Sequence, residues 1–260
     1  MRLPVVTVAA SRLRAAGKVL AGSTPETNHT AAGGLTVSVD PTDASAAARR
    51  EWATLLAPVW LEAMKTLDPN VDYPYSMIPM LAREHLEKCR LLPNREELIT
   101  KHLPKGGRVA EVGTFRGHNA RTILSGAQPD ELHLIDVDFS QLERTEPIGA
   151  ALQSGQAVLN QNDSVAALLT FPDGYFDWIY IDGDHSYEGV TRDIAAAAQK
   201  VKHDGLLVFN DYTYWSHAEL VPYGVIHGVN ELCLREGWYL EYYTLDSLMY
   251  CDVAIRRMNS

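Results

Sequence analysis

From Arg108 onward the sequence alternates short apolar runs with segments of helical periodicity, and this rhythm constrains the fold more than any other feature. Parallel strands need crossover connections, usually helices, so the alternation predicts an α/β protein with a doubly wound, Rossmann-like sheet covered on both faces. The predicted strands fall at 108–112, 131–135, 156–160, 178–181 and 206–209, with helices at 119–125, 141–152, 164–169 and 187–201. A further helix over 225–235 leads into two runs, 238–244 and 249–256, that read as an antiparallel hairpin at one edge of the sheet.

The chain has 260 residues, enough for one domain with an appendage. Residues 1–41 lack helical periodicity and read as an N-terminal extension, mobile or partner-bound. A targeting segment is the other reading, because Arg2, Arg12, Arg14 and Lys18 surround a short apolar stretch. Residues 42–104 read as a helical cap or dimerisation region. It holds one helix with Trp52, Leu55, Leu56, Val59, Trp60 and Met64 at helical spacing, a second over 77–91 and a third over 95–102. Residues 105–260 then read as the domain that carries the sheet.

Charge and cysteine content narrow the partners. With 23 Lys and Arg against 33 Asp and Glu, the net charge of -10 disfavours a nucleic-acid partner, and a small molecule is the expected one. No apolar run approaches the roughly 18 residues of a membrane span, so no membrane partner is expected. The three cysteines, Cys89, Cys233 and Cys251, form no CxxC pair, which points to a reducing compartment, the cytoplasm.

In doubly wound sheets ligands bind at the carboxyl ends of the strands. The first junction reads Glu111-Val112-Gly113-Thr114-Phe115-Arg116-Gly117. Gly113 allows a tight turn, and Gly117 opens a helix whose amides favour an anion. Glu111 would repel a pyrophosphate and attract an ammonium, so a zwitterionic amino-acid tail fits the loop better than a dinucleotide. Asp136 ends the next strand where a ribose diol would be gripped, with Asp138 as the weaker choice, and Asn162-Asp163-Ser164 follows the third where an adenine amino group could be read.

The E-x-G-x-x-x-G loop, Asp136, the Asp163-Ser164 pair, the Ile181-Asp182 strand end and the closing hairpin together resemble class I S-adenosylmethionine-dependent methyltransferases. The resemblance covers about 77–258. It implies a seven-stranded sheet with a reversed last strand and S-adenosyl-L-methionine as cofactor, bound by Glu111, Gly113, Gly117, Asp136, Asp163, Ser164 and Asp182.

The sharpest local feature is Ile181-Asp182-Gly183-Asp184-His185-Ser186, followed one strand later by Phe209-Asn210-Asp211. Neighbouring parallel strands would bring Asp182, Asn210 and Asp211 to one crevice as oxygen ligands, a set suited to Mg²⁺ or a similar hard divalent cation. This pattern is similar to that of metal-dependent small-molecule O-methyltransferases, including catechol O-methyltransferase and bacterial enzymes that methylate antibiotic sugars. It departs from them in that Asn precedes Asp. The resemblance implies O-methylation of a small hydroxylated acceptor in natural-product biosynthesis, with Asp184 as general base. His185 competes for that role. Capping of the following helix by Asp184, or packing of His185, is the structural alternative. Tyr212, Tyr214, Trp215 and Tyr223 read as an acceptor pocket or a packed lid, and a homodimer is expected. A metal-independent methyltransferase with His185 as base, a nicotinamide oxidoreductase and a scaffold with a vestigial pocket are the competing functions.

Overall fold

The structure, a computed structural model, describes residues 78–216, 219, 221–246 and 249–258. The expected extension over 1–41 and the helix containing Trp52 and Trp60 lie outside these residues. A 3-10 turn at Arg83–His85 leads to β1 (Arg90–Leu92), and α1 (Arg95–Glu97) continues as a π turn, Leu98–His102. Then come β2 (Arg108–Val112), α2 (His118–Thr122) with a π turn at Ile123–Ala127, β3 (Glu131–Asp136), α3 (Ile148–Ser154), β4 (Ala157–Gln161) and α4 (Ser164–Leu168). The chain continues through β5 (Phe176–Ile181), α5 (Tyr187–Lys200), β6 (Val201–Phe209), the small ribbon β7 (Trp215–Ser216) and β8 (Val221–Pro222), α6 (Val225–Glu236), β9 (Trp238–Thr244) and β10 (Val253–Arg257).

One eight-stranded sheet runs in the order β1-β9-β10-β6-β5-β2-β3-β4. All neighbours pair in parallel except β10, which is antiparallel to both β6 and β9. The expected doubly wound sheet with a reversed strand is therefore present, and three expectations need correcting. Of the helix expected over 77–91, the described residues from 78 onward form only the single turn at Arg83–His85: pairing of Arg90–Leu92 with Tyr242–Thr244 makes the end of this segment an eighth strand. The β9–β10 hairpin is consequently interior, because β1 covers its outer edge. The helix expected over 141–152 starts at Ile148, after Pro147, whose ring disfavours helical geometry in the residue before it.

Side chains alternate across the sheet into two cores. Ala110, Val112, Ile179, Ile181, Leu207 and Phe209 pack with Val190 and Ile194 of α5 and Val225 and Val229 of α6. Val109, Leu132, Trp178, Tyr180, Leu206 and Val208 pack on the opposite face with Leu98, Ile99, Ile123 and Ile148. The turn after α1 therefore belongs to the core, and the sheet draws on residues ahead of 105. Among the described residues no helix is long and apolar enough to cross a membrane.

Candidate functional site

Parallel pairing sets β2 between β3 and β5 and puts β6 beside β5, so their carboxyl ends share one crevice. The tightest contact there is at Gly113. Its φ of +85° lies in the left-handed region, its N–H donates to Ile135 O at 2.9 Å, and a Cβ would stand 2.0 Å from the Asp182 carbonyl oxygen. Only glycine lets this turn and the Asp182 backbone approach so closely. Gly117, at φ +78°, does a packing job: a Cβ would collide with Ile148 and Leu142 side chains at 2.6 and 2.8 Å.

Glu111 is 1% exposed on the α2 face of β2. Its Oε1 accepts from Asn119 Nδ2 at 3.0 Å, while Oε2 is buried with no hydrogen-bond partner, as are Thr114 Oγ1 and Asn119 Oδ1. Burial pushes the Glu111 carboxyl up to about 8. Three unsatisfied buried oxygens around one loop fit a polar ligand carrying hydrogen-bond donors, such as an amino-acid ammonium. Asp136 holds the loop: its Oδ2 accepts from Phe115 N at 2.8 Å and its Oδ1 from Asp138 N at 3.0 Å. Each oxygen keeps a lone pair for a diol. Asp163 N-caps α4 through Val165 N and Ala166 N, and Ser164 Oγ donates to Asp193 of α5, so both have structural partners.

At the ends of β5 and β6, three oxygens converge on the His185 imidazole. Its Nε2 lies 3.1 Å from Asn210 Oδ1, 3.5 Å from Asp182 Oδ1 and 3.7 Å from Asp211 Oδ2. The ring stacks on Tyr223, centroids 4.5 Å apart and planes 17° apart. Asp211 has φ +55°, a left-handed conformation that Asp tolerates better than most residues and that aims its carboxylate at this point. Asp184 points elsewhere. Its Oδ1 accepts from Ser186 N at 2.9 Å, its carboxylate lies over Gly189, and Ser186 Oγ, accepting from Gly189 N, is the actual cap of α5. Among the other predicted aromatics, the Tyr212 hydroxyl donates to Asn230 Oδ1. His227 pairs with Glu231 of its own helix at 3.0 Å, and His217 lies outside the described residues.

Electrostatics in the crevice are dominated by acid. Burial raises the Asp182 carboxyl well above the usual range, Asp211, Glu111 and Asp252 add repulsion, and Arg95 opposes it. Burial likewise raises Asp211 to about 6, against the pull of His185 and Arg95. Among the described residues no group of three or more His, Cys, Asp and Glu side chains is arranged to hold a metal ion. The predicted oxygens instead surround an imidazole nitrogen. Two crowded, half-buried carboxylates and an amide oxygen still make a donor set that suits a hard cation, with the imidazole able to serve as a further ligand. A hollow of about 410 Å³ between Glu96, Lys105 and Arg121 shares none of these residues.

Arg95 and Asp252 were not singled out from the sequence. Arg95 Nε and Nη2 donate to Asp252 Oδ2 and Oδ1 at 2.7 and 2.9 Å, and Nη2 reaches to 3.7 Å from Asp211 Oδ1. Asp252, wholly buried, also accepts from the Tyr180 hydroxyl and from Asn210 Nδ2. One signal was available: Asp252 is an acid within the otherwise largely apolar stretch from Met249 to Ile255.

The sheet order, the Gly113 turn and the acids at the strand ends define a Rossmann-like fold with an acidic crevice. Residues 110–212 match the model of a family described as a methyltransferase domain. Solved structures resemble it in outline only. The pyocyanin biosynthetic protein PhzM shares 16% identity over 63% of this chain and 54% of that chain, with a TM-score of 0.48. The B. subtilis tRNA methyltransferase TrmK shares 13% over 65% and 67%, TM-score 0.46. A putative rRNA-methylase of Clostridium thermocellum shares 12% over 63% and 95%, TM-score 0.45. The chain spans about half the length of the first of these, and likeness at this level carries nothing about the acceptor. No curated protein sequence matches the chain.

Proposed function

We propose that the protein is an O-methyltransferase that transfers the methyl group of S-adenosylmethionine to a hydroxyl of a small molecule, a sugar-bearing natural product or a vicinal diol, with a divalent cation. The observation that carries this reading is that Asp182, Asn210 and Asp211 each bring an oxygen within 3.7 Å of His185 Nε2, beside the Gly113 turn. Asp182 and Asp211 would hold the cation with the Asn210 oxygen, and the bound cation would lower the pKa of an acceptor hydroxyl.

The chain's own residues do the rest. Glu111 Oε2 takes the donor's ammonium, Asp136 takes the ribose hydroxyls, and Asp163-Ser164 borders the adenine. His185, held by stacking on Tyr223, receives the acceptor proton. We assign this proton transfer to His185 rather than Asp184, whose carboxylate is engaged by the first turn of α5. The acidic balance of the chain favours a small acceptor over a nucleic-acid one. Three free cysteines fit a reducing compartment such as the cytoplasm, and a homodimer remains our reading of the assembly.

A second reading has an observation of its own. His185 Nε2 already stands between the three oxygens, which is also the geometry of a metal-independent enzyme in which Asp182 and Asp211 orient and stabilise a histidine base. Dialysis against EDTA followed by magnesium addition separates the two. Loss and recovery of methyl transfer to a diol acceptor supports the metal reading, and undiminished turnover in chelator replaces it with the second.

A further inference from the structure

We propose that Asp252 and Arg95 are positioning residues that lock the Asn210 amide with its oxygen turned toward His185 and the crevice. The inference deepens the proposed function and rests on the crevice being the transfer site. It begins with the departure already noted in the sequence, where an asparagine precedes Asp211.

Because β10 runs antiparallel to β6, Val253 lies opposite Phe209, and the residues just outside these strand ends, Asp252 and Asn210, meet at the crevice rim. Asp252 is wholly buried and its carboxylate is surrounded by donors. Oδ1 accepts from Arg95 Nη2 at 2.9 Å and Asn210 Nδ2 at 3.3 Å; Oδ2 accepts from Arg95 Nε at 2.7 Å and the Tyr180 hydroxyl. A buried carboxylate is stable only when such partners answer its charge.

The amide of Asn210 has a donor end and an acceptor end, and a carboxylate can accept only from the donor end. Asp252 therefore fixes Nδ2, with the Tyr180 oxygen 3.4 Å away as a second neighbour. The Oδ1 end must face the other way, where it accepts from His185 at 3.1 Å. An aspartate at 210 would set two carboxylates against each other in a buried place. A neutral residue is thus required beside Asp252, and asparagine is the one that still presents an oxygen to the crevice. Arg95 makes the arrangement tolerable by pairing with Asp252 and facing Asp211.

Two measurements test this. The first needs no substrate: hydrogen exchange of the Asn210 side-chain amide by NMR in the full chain. In the wild type, exchange is expected to be at least about tenfold slower than in a free amide, and Asp252→Asn should bring it close to the free rate. The second is kinetic. Asn210→Asp and Asp252→Asn should each lower kcat about tenfold or more with the KM for S-adenosylmethionine unchanged, and the exchange variant Asn210→Asp/Asp252→Asn should recover most of that loss. A merely structural role predicts additive losses and no recovery. If exchange responds but all four proteins turn over alike, the positioning stands and the transfer-site reading falls. An unprotected Asn210 amide in the wild type, or an exchange variant worse than both single variants, overturns the proposal.

Discussion

Glu111 shows how much one buried residue can report. Its folded pKa of about 8 stands above the ordinary 4.5, so the folded state holds a proton that the unfolded chain releases. The contribution to stability is fully present below about pH 4.5 and is lost as pH rises toward 8, where the curve flattens. Glu111→Gln should flatten that slope in denaturation curves measured across this range. A ligand ammonium against Oε2 favours the carboxylate, so cofactor binding at pH 7 should release up to about one proton. Titration calorimetry in buffers of different ionisation enthalpy checks it, and Glu111→Gln should abolish the release. Gly113→Ala is the steric counterpart. With backbone only 2.0 Å from the new methyl and a φ of +85°, it should cost about 3 kcal/mol or more in chemical denaturation. Both positions were legible in the sequence, because an acid and a glycine two residues apart at a strand end form a local pattern.

At the scale of elements, the junction from β5 to α5 separates two candidate bases that the sequence could not. Asp184 and His185 are neighbours in the chain, and which of them faces the crevice depends on how α5 begins. With Ser186 as cap and Asp184 folded over Gly189, the imidazole is left facing β6. Asp184→Asn should therefore change kcat by less than about threefold, whereas His185→Ala should lower it by about 10² or more. Ser186→Ala should destabilise the protein by about 1 kcal/mol, read from its thermal transition. The elements themselves were largely readable from periodicity. β1 was not: three residues carry no period, and the charges at Arg83, Glu84, Glu87 and Lys88 imitate a helix, while only the far partner Tyr242–Thr244 makes a strand.

For the whole molecule, the family-matched segment of 110–212 is not self-sufficient. Arg95 precedes it and Asp252 follows it, 157 residues apart in sequence, and no local rule could have joined them. A chain begun at Lys105 would lose both β1 and the guanidinium that answers Asp252. An unpaired buried charge costs about 3–5 kcal/mol, a large part of the roughly 5–15 kcal/mol that holds a domain together. Such a chain should lack a cooperative melting transition by circular dichroism, whereas Arg95→Lys in the full chain should retain one at lower temperature.

The reversed strand also leaves an evolutionary signature. Parallel strands contribute their last residues to the crevice, and β10 alone contributes the residue before its first, so positions 210 and 252 belong to one electrostatic decision taken at two distant places in the gene. Homologous chains should keep the amide and the acid together or trade them together, and a sequence with acids at both places should carry a further cation beside the one that Arg95 supplies here.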